Sequence, residues 1–172
     1  MMKMITALLL IAVIAFGVEL KVDEKASNIK FEATKMMFIG VDGNFSDFSG
    51  SIEVEGSDIV SINGVLRVLS IDTDNEERDD HLLSSDFFDE THFGHIVFKS
   101  TKIEDGKVTA NITIKDITKP VVFEMEELYV STKSVKIKLS AVVDRTEFDI
   151  DNNFMSMMIF DNVDVSSYLE AH

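Results

Sequence analysis

Two stretches of the chain alternate apolar and polar residues with a period of two. In 107–115, Val108, Ala110, Ile112 and Ile114 alternate with Lys107, Thr109, Asn111, Thr113 and Lys115. In 133–143, Val135, Ile137, Leu139, Ala141 and Val143 share one face, and Lys136, Lys138 and Ser140 take the other. A helix returns to one face every 3.6 residues and a strand every two. Both stretches therefore read as half-buried strands. Noisier alternation runs through 28–34, 51–55, 95–103 and 121–126. Segment 59–71 is apolar on both faces, as expected of a strand covered on each side.

Turn signals punctuate these runs. Asp42-Gly43 reads as the turn between 29–39 and 44–55, and Glu104-Asp105-Gly106 as a tight hairpin link. Pro120 reads as the opening of its strand, where its missing N–H does least damage. Asp151-Asn152-Asn153 precedes a last strand over roughly 154–165. About eight strands at regular spacing predict an all-β antiparallel barrel or sandwich. One segment departs from this pattern. Residues 72–88 carry Thr73 with Glu76, and Asp74 with Glu77, at capping-box spacing. They predict a short helix over about 75–84, followed by Phe87-Phe88.

Residues 1–17 have a different character. Lys3 precedes an apolar run from Ile5 to Phe16, and Ala15 and Gly17 are small residues at the −3 and −1 positions of a cleavage before Val18. The run is shorter than the roughly 20 residues a membrane span needs, so it reads as a secretory signal peptide, with a retained anchor as the alternative. Residues 18–172 read as one domain, periplasmic or secreted. The chain has no Cys, so this exported domain depends on apolar burial instead of disulfides.

Composition narrows the function. With 16 Lys+Arg against 31 Asp+Glu in 172 residues, the net charge of −15 argues against nucleic-acid binding. Zero Cys excludes thiolate metal sites and cysteine nucleophiles. His81, His92 and His95 form no metal-binding motif, and the acids from Asp72 to Asp79 fail the EF-hand pattern. No nucleophile elbow or phosphate loop occurs. These observations predict no catalytic residue, no metal and no cofactor. A small barrel is either filled by side chains or just wide enough for one ligand. The 13 Phe and 9 Met leave both readings open. In Phe154-Met155-x-Met157-Met158-x-Phe160, large side chains take both faces of one strand, and Met158 and Phe160 suit a dimer interface as well.

Several fragments together resemble one family. They are Gly43-x-Phe45-x-x-Phe48-Ser-Gly50 and Ser70-Ile-Asp72-Thr-x-x-x-x-Arg78-Asp79-x-His81-Leu82-x-Ser84-x-Asp86-Phe87. Downstream stand Phe98-x-Ser100-Thr101, Ile117-Thr118-Lys119-Pro120-Val121 and Asp144-Arg145-x-x-Phe148-x-Ile150. Their order and spacing resemble the YceI-like family over residues 20–165. The resemblance implies a lipocalin-like, eight-stranded antiparallel barrel with a helix near its mouth. It further implies export and an apolar tunnel for a polyisoprenoid or similar long-chain amphiphile. A homodimer without enzymatic activity and without stable membrane insertion is expected. The chain departs from the family at Lys35, where a His is common, and at Phe93-Gly94, where a Tyr-Pro pair is common.

The candidate ligand-lining residues are Phe31, Phe45, Phe48, Ile71, Leu82, Phe87, Phe98 and Ile114. Phe123, Phe148, Met155 and Met157 complete the apolar set. Lys35 and Arg78 are candidates for an anionic head group, and His81 stands beside them near the mouth. The alternative role for Arg78 is as a structural partner of the acids around it. Two rival readings remain. One is a filled barrel acting as an interaction protein. The other is an enzyme modifying a bound lipid with His81, Arg78 and Asp79.

Overall fold

The computed structural model describes residues 17–35, 39–150 and 159–172, and only the backbone of Lys35, Ile39, Ile159 and Phe160. The elements in chain order begin with β1 (Val18–Lys21), β2 (Asn28–Lys35), β3 (Ile39–Phe45), β4 (Phe48–Glu55), β5 (Asp58–Arg67) and β6 (Ile71–Asp72). Helix α1 (Glu76–Leu83) follows, then β7 (His95–Glu104), β8 (Lys107–Ile114), β9 (Ile117–Ser131), β10 (Ser134–Asp144) and β11 (Ile159–Ala171). All strands join one antiparallel sheet in the order β1-β4-β5-β7-β8-β9-β10-β11-β2-β3-β6. The sheet curls into a half-barrel. A bridge between Val22 and Ala171, with hydrogen bonds between Lys21 and His172, brings the β1 edge to the end of β11.

Among the described residues the strands number eleven instead of eight. β1 and β6, with four and two residues, are too short to show a period. The expected strand 44–55 is two strands, because the chain bends at Ser46-Asp47 between β3 and β4. Asp42-Gly43 is not a turn but lies inside β3. Gly43 sits opposite Phe31, and a Cβ at Gly43 would fall 2.2 Å from the ring's Cζ. The glycine marks an aromatic ring laid over the neighbouring backbone.

Asp105-Gly106 behaves as expected. Both have positive φ, 50° and 71°, as a type I′ hairpin requires. Pro120 lies within β9, in register with Asn111 of β8. It is tolerated there because the β9–β10 ladder ends at Glu124↔Ser140, so no pairing of 117–123 with β10 is lost among the described residues. The segment 59–71 is not covered on both faces: Val60, Val65 and Leu69 are exposed on its outer side.

α1 matches the expected helix, but its cap is Asn75. The Asn75 side chain accepts the Arg78 N–H at 2.9 Å, the role the spacing had given to Thr73 or Asp74. Acids fill the first turn, where the helix dipole favours them. After the helix, Phe87 turns inward and is buried.

Strand direction sets the axis of the molecule. The links β4–β5, β7–β8 and β9–β10 turn at one end. α1, the β8–β9 turn and the 3₁₀ turn Arg145–Phe148 lie at the other. Near the hairpin end the inner faces meet without gaps: Ile52, Val54, Val108, Ala110, Val135, Ile137 and Ala171 are all 0% exposed. That end is solid, closed by side chains that expose no surface to solvent.

Candidate ligand-binding cavity

Toward the α1 end the interior is hollow. The curled sheet lines a cavity of about 180 Å³ that opens to solvent. One water needs only about 10–15 Å³ of such volume, so this half of the interior is not filled by side chains.

The lining follows from alternation. β7 points Ile96 and Phe98 inward, and β8 points Ile112 and Ile114 inward. Phe31 of β2, Phe45 of β3, Phe48 of β4 and Phe123 of β9 add aromatic surface. Two ring pairs brace it. Phe31 and Phe45 lie 5.7 Å apart and tilted, while Phe98 meets Phe123 edge-on at 5.2 Å. Both separations fall in the favourable range for aromatic pairs. Polar groups are few among the lining residues: Lys30, Ser49, Asn63, Ser166 and Ser167.

Six of the candidate residues line the cavity: Phe31, Phe45, Phe48, Phe98, Ile114 and Phe123. Four others do not. Ile71 pairs with Phe45 at the β6 edge; Phe87 and Phe148 are buried within the hydrophobic core, and Leu82 packs against it. Met155 and Met157 lie outside the described residues, as does the side chain of Lys35. The residues that were not anticipated are mainly aliphatic: Ile29, Ile62, Leu66, Ile96, Ile112, Leu139, Val143, Val165 and Leu169. Their signal was strand phase. Ile112 is in phase with Ile114, and Leu139 belongs to the alternating face of 133–143.

Arg78 is committed to holding the loop. Its Nε donates to Thr73 Oγ1 at 2.7 Å and its Nη2 to the Thr73 carbonyl. The Thr73 backbone N–H and hydroxyl in turn donate to the Asp79 carboxylate. This closed set ties the start of α1 to the strand before it, with Arg78 acting through Thr73 and not directly on the neighbouring acids. His81 sits 3.7 Å from Asp86 through Nε2 and meets the Phe87 ring edge-on at 5.0 Å. The His92 Nδ1 lies 2.9 Å from Asp89, whose hydrogen bond and charge raise the imidazole pKa. Among the described residues no cluster of three His, Asp or Glu side chains is placed to hold a metal.

Arg145 is the buried cation of the described residues, 7% exposed. Its Nη1 donates to the Ile150 carbonyl and its Nη2 reaches Asp161 at 3.3 Å. Asp144 caps the same 3₁₀ turn, accepting from the Thr146 hydroxyl at 2.6 Å and the Thr146 N–H at 2.9 Å. These two bonds, the hydroxyl's first, hold the Asp144 pKa below the ordinary carboxylate value. At this end of the sheet the turn packs Phe148 into the hydrophobic core and α1 packs Leu82 against it.

A curled antiparallel sheet with one short helix and an apolar cavity defines a class of binding-protein fold. Within that class the chain belongs to the YceI-like domain family, whose model matches residues 20–171. UPF0312 protein SA2479 of Staphylococcus aureus (strain N315) is 33% identical over 106 residues, 60% of this chain and 62% of that protein. The match thus spans less than two thirds of that relative's length. The fold resembles BcnA of Burkholderia cenocepacia, with a TM-score of 0.78 at 20% identity, covering 88% of this chain and 99% of BcnA. It also resembles a polyisoprenoid binding domain from Saccharophagus degradans implicated in plant cell wall breakdown. There the TM-score is 0.75 at 13% identity, covering 90% of this chain and 98% of that domain.

Proposed function

We propose that the protein binds a long-chain amphiphile, of the polyisoprenoid, fatty acid or fatty amide type, and carries or scavenges it after export, without chemistry. The observation that carries this reading is the hollow, almost wholly apolar half of the interior, lined by five inward Phe side chains. Burying one CH₂ is worth about 0.8 kcal/mol, so a chain of ten or so carbons gains a large driving force by entering such a space. The fold likeness to a polyisoprenoid binding domain supports the same ligand class. The short apolar run at residues 5–16 supports export to the periplasm or the exterior. A homodimer completes the proposal.

Native mass spectrometry of freshly purified protein, followed by lipid extraction, tests it. A copurifying lipid of the expected mass class is the predicted result. Protein that carries no lipid, and takes none up from a lipid mixture, sinks the reading. A time course on the bound lipid separates a carrier from an enzyme, since turnover would overturn the carrier role.

A further inference from the structure

We infer that Gly64 sets how deep an apolar chain can descend into the cavity, an inference that rests on the lipid-binding reading above. Three inward rows of the β4–β5 ladder lie one below another. They are Phe48↔Leu66, Gly50↔Gly64 and Ile52↔Ile62. The upper two rows and Ile62 line the cavity, whereas Ile52 is 0% exposed and belongs to the solid end. The glycine row is therefore the lowest open step above the floor.

The two glycines exist for different reasons. At Gly50 a Cβ would fall 2.7 Å from the Asn63 carbonyl oxygen, so close backbone approach requires glycine there. At Gly64 a Cβ would meet only the Ser49 carbonyl oxygen at 3.5 Å and Phe98 Cβ at 4.0 Å, ordinary contacts. Its φ is not in the left-handed region either, since Gly56 and Gly106 are the described glycines with positive φ. Glycine within a strand is less stable than alanine by roughly 0.5–1 kcal/mol. Nothing in the backbone requires that penalty at Gly64. What glycine provides is space beside Phe98 Cβ, where a ligand's terminus can lie against the wall.

The test uses unbranched fatty acids from eight to eighteen carbons, displacing N-phenyl-1-naphthylamine from lipid-stripped protein. In the wild type, affinity should rise with chain length to a plateau. Gly64→Leu fills the step with four carbons, so the plateau should come about four carbons earlier. The longest chains should bind about a hundredfold more weakly and the short ones unchanged. Gly64→Ala should shift the plateau by about one carbon, and it carries the test if the leucine variant fails to fold. Val65→Leu, on the exposed outer face, is the control and should shift nothing. If wild type and Gly64 variants reach the same plateau, the inference is wrong while lipid binding stands. If the wild type binds no chain of any length, lipid binding fails and the inference with it.

Discussion

Ile137 and Leu139 stand two residues apart on the inner face of β10, 0% and 3% exposed. Truncating either to Ala removes three carbons, a burial loss of about 2.4 kcal/mol at about 0.8 per CH₂. The two sites differ in what lies beyond the side chain. Ile137 is enclosed at the solid end, so the vacated space stands as a new void. A void of ~80 Å³ adds about 2 kcal/mol at about 24 cal/mol per Å³, for a total near 4. Leu139 already borders the cavity and lacks neighbours on that side. It has fewer dispersion contacts to lose, so the expected cost is about 2–3 kcal/mol. The assay is urea unfolding of lipid-stripped wild type, Ile137→Ala and Leu139→Ala, with midpoints compared at a common slope. Costs equal within about 0.5 kcal/mol, or a larger cost at Leu139, would refute the division into a solid and a hollow end.

Three further outcomes follow from the turns. Gly106→Ala meets no steric obstacle, its nearest atom being Met125 O at 3.6 Å, but its φ of 71° should cost about 1–2 kcal/mol, read as a lower urea midpoint at unchanged slope. Asp144→Ala removes the cap of the 3₁₀ turn and should cost about 1 kcal/mol near neutral pH. Its folded pKa lies below the unfolded one, so the Asp144 contribution is present above the ordinary carboxylate range and lost as pH falls through the folded value. The gap between wild type and Asp144→Ala should therefore close on acidification; a gap that persists in acid would contradict the capping role. Arg145→Met leaves the Ile150 carbonyl without its guanidinium donor, while Asp161 stays largely solvated. It should cost about 2–3 kcal/mol in thermal or urea unfolding.

The long strands were readable because one face of each meets water and the other meets the core, which imprints a period of two on 107–115 and 133–143. The Asp105-Gly106 hairpin was readable because its dihedral angles admit few residues. What failed to show depended on contacts distant in sequence. Gly43 looks like a turn until Phe31 of the neighbouring strand is laid over it. Thr73 looks like a helix cap until Asp79 and Arg78 are seen to claim its polar atoms. In the cavity, aromatic residues drew attention by size. Yet Phe87 and Phe148 serve the core, while Ile112, Leu139 and Val165 line the open space. Core and cavity lining share one chemistry, so composition alone does not separate them.

The tight hairpins at the solid end carry a consequence for assembly. β4–β5, β7–β8 and β9–β10 each join strands adjacent in sequence, so their pairing closes loops of a few residues at low entropic cost. The hollow end has one such hairpin, β8–β9, and otherwise depends on α1, the Arg145 turn and the two-residue pairing of β3 with β6. The solid end should therefore be the early, cooperative unit of folding, with the hollow end opening at lower free energy. Native-state amide exchange should show slow amides around Val108 and Ile137 and faster ones around Ile71 and in α1. A chain arranged this way can loosen to admit or release a guest without surrendering the half that keeps it folded.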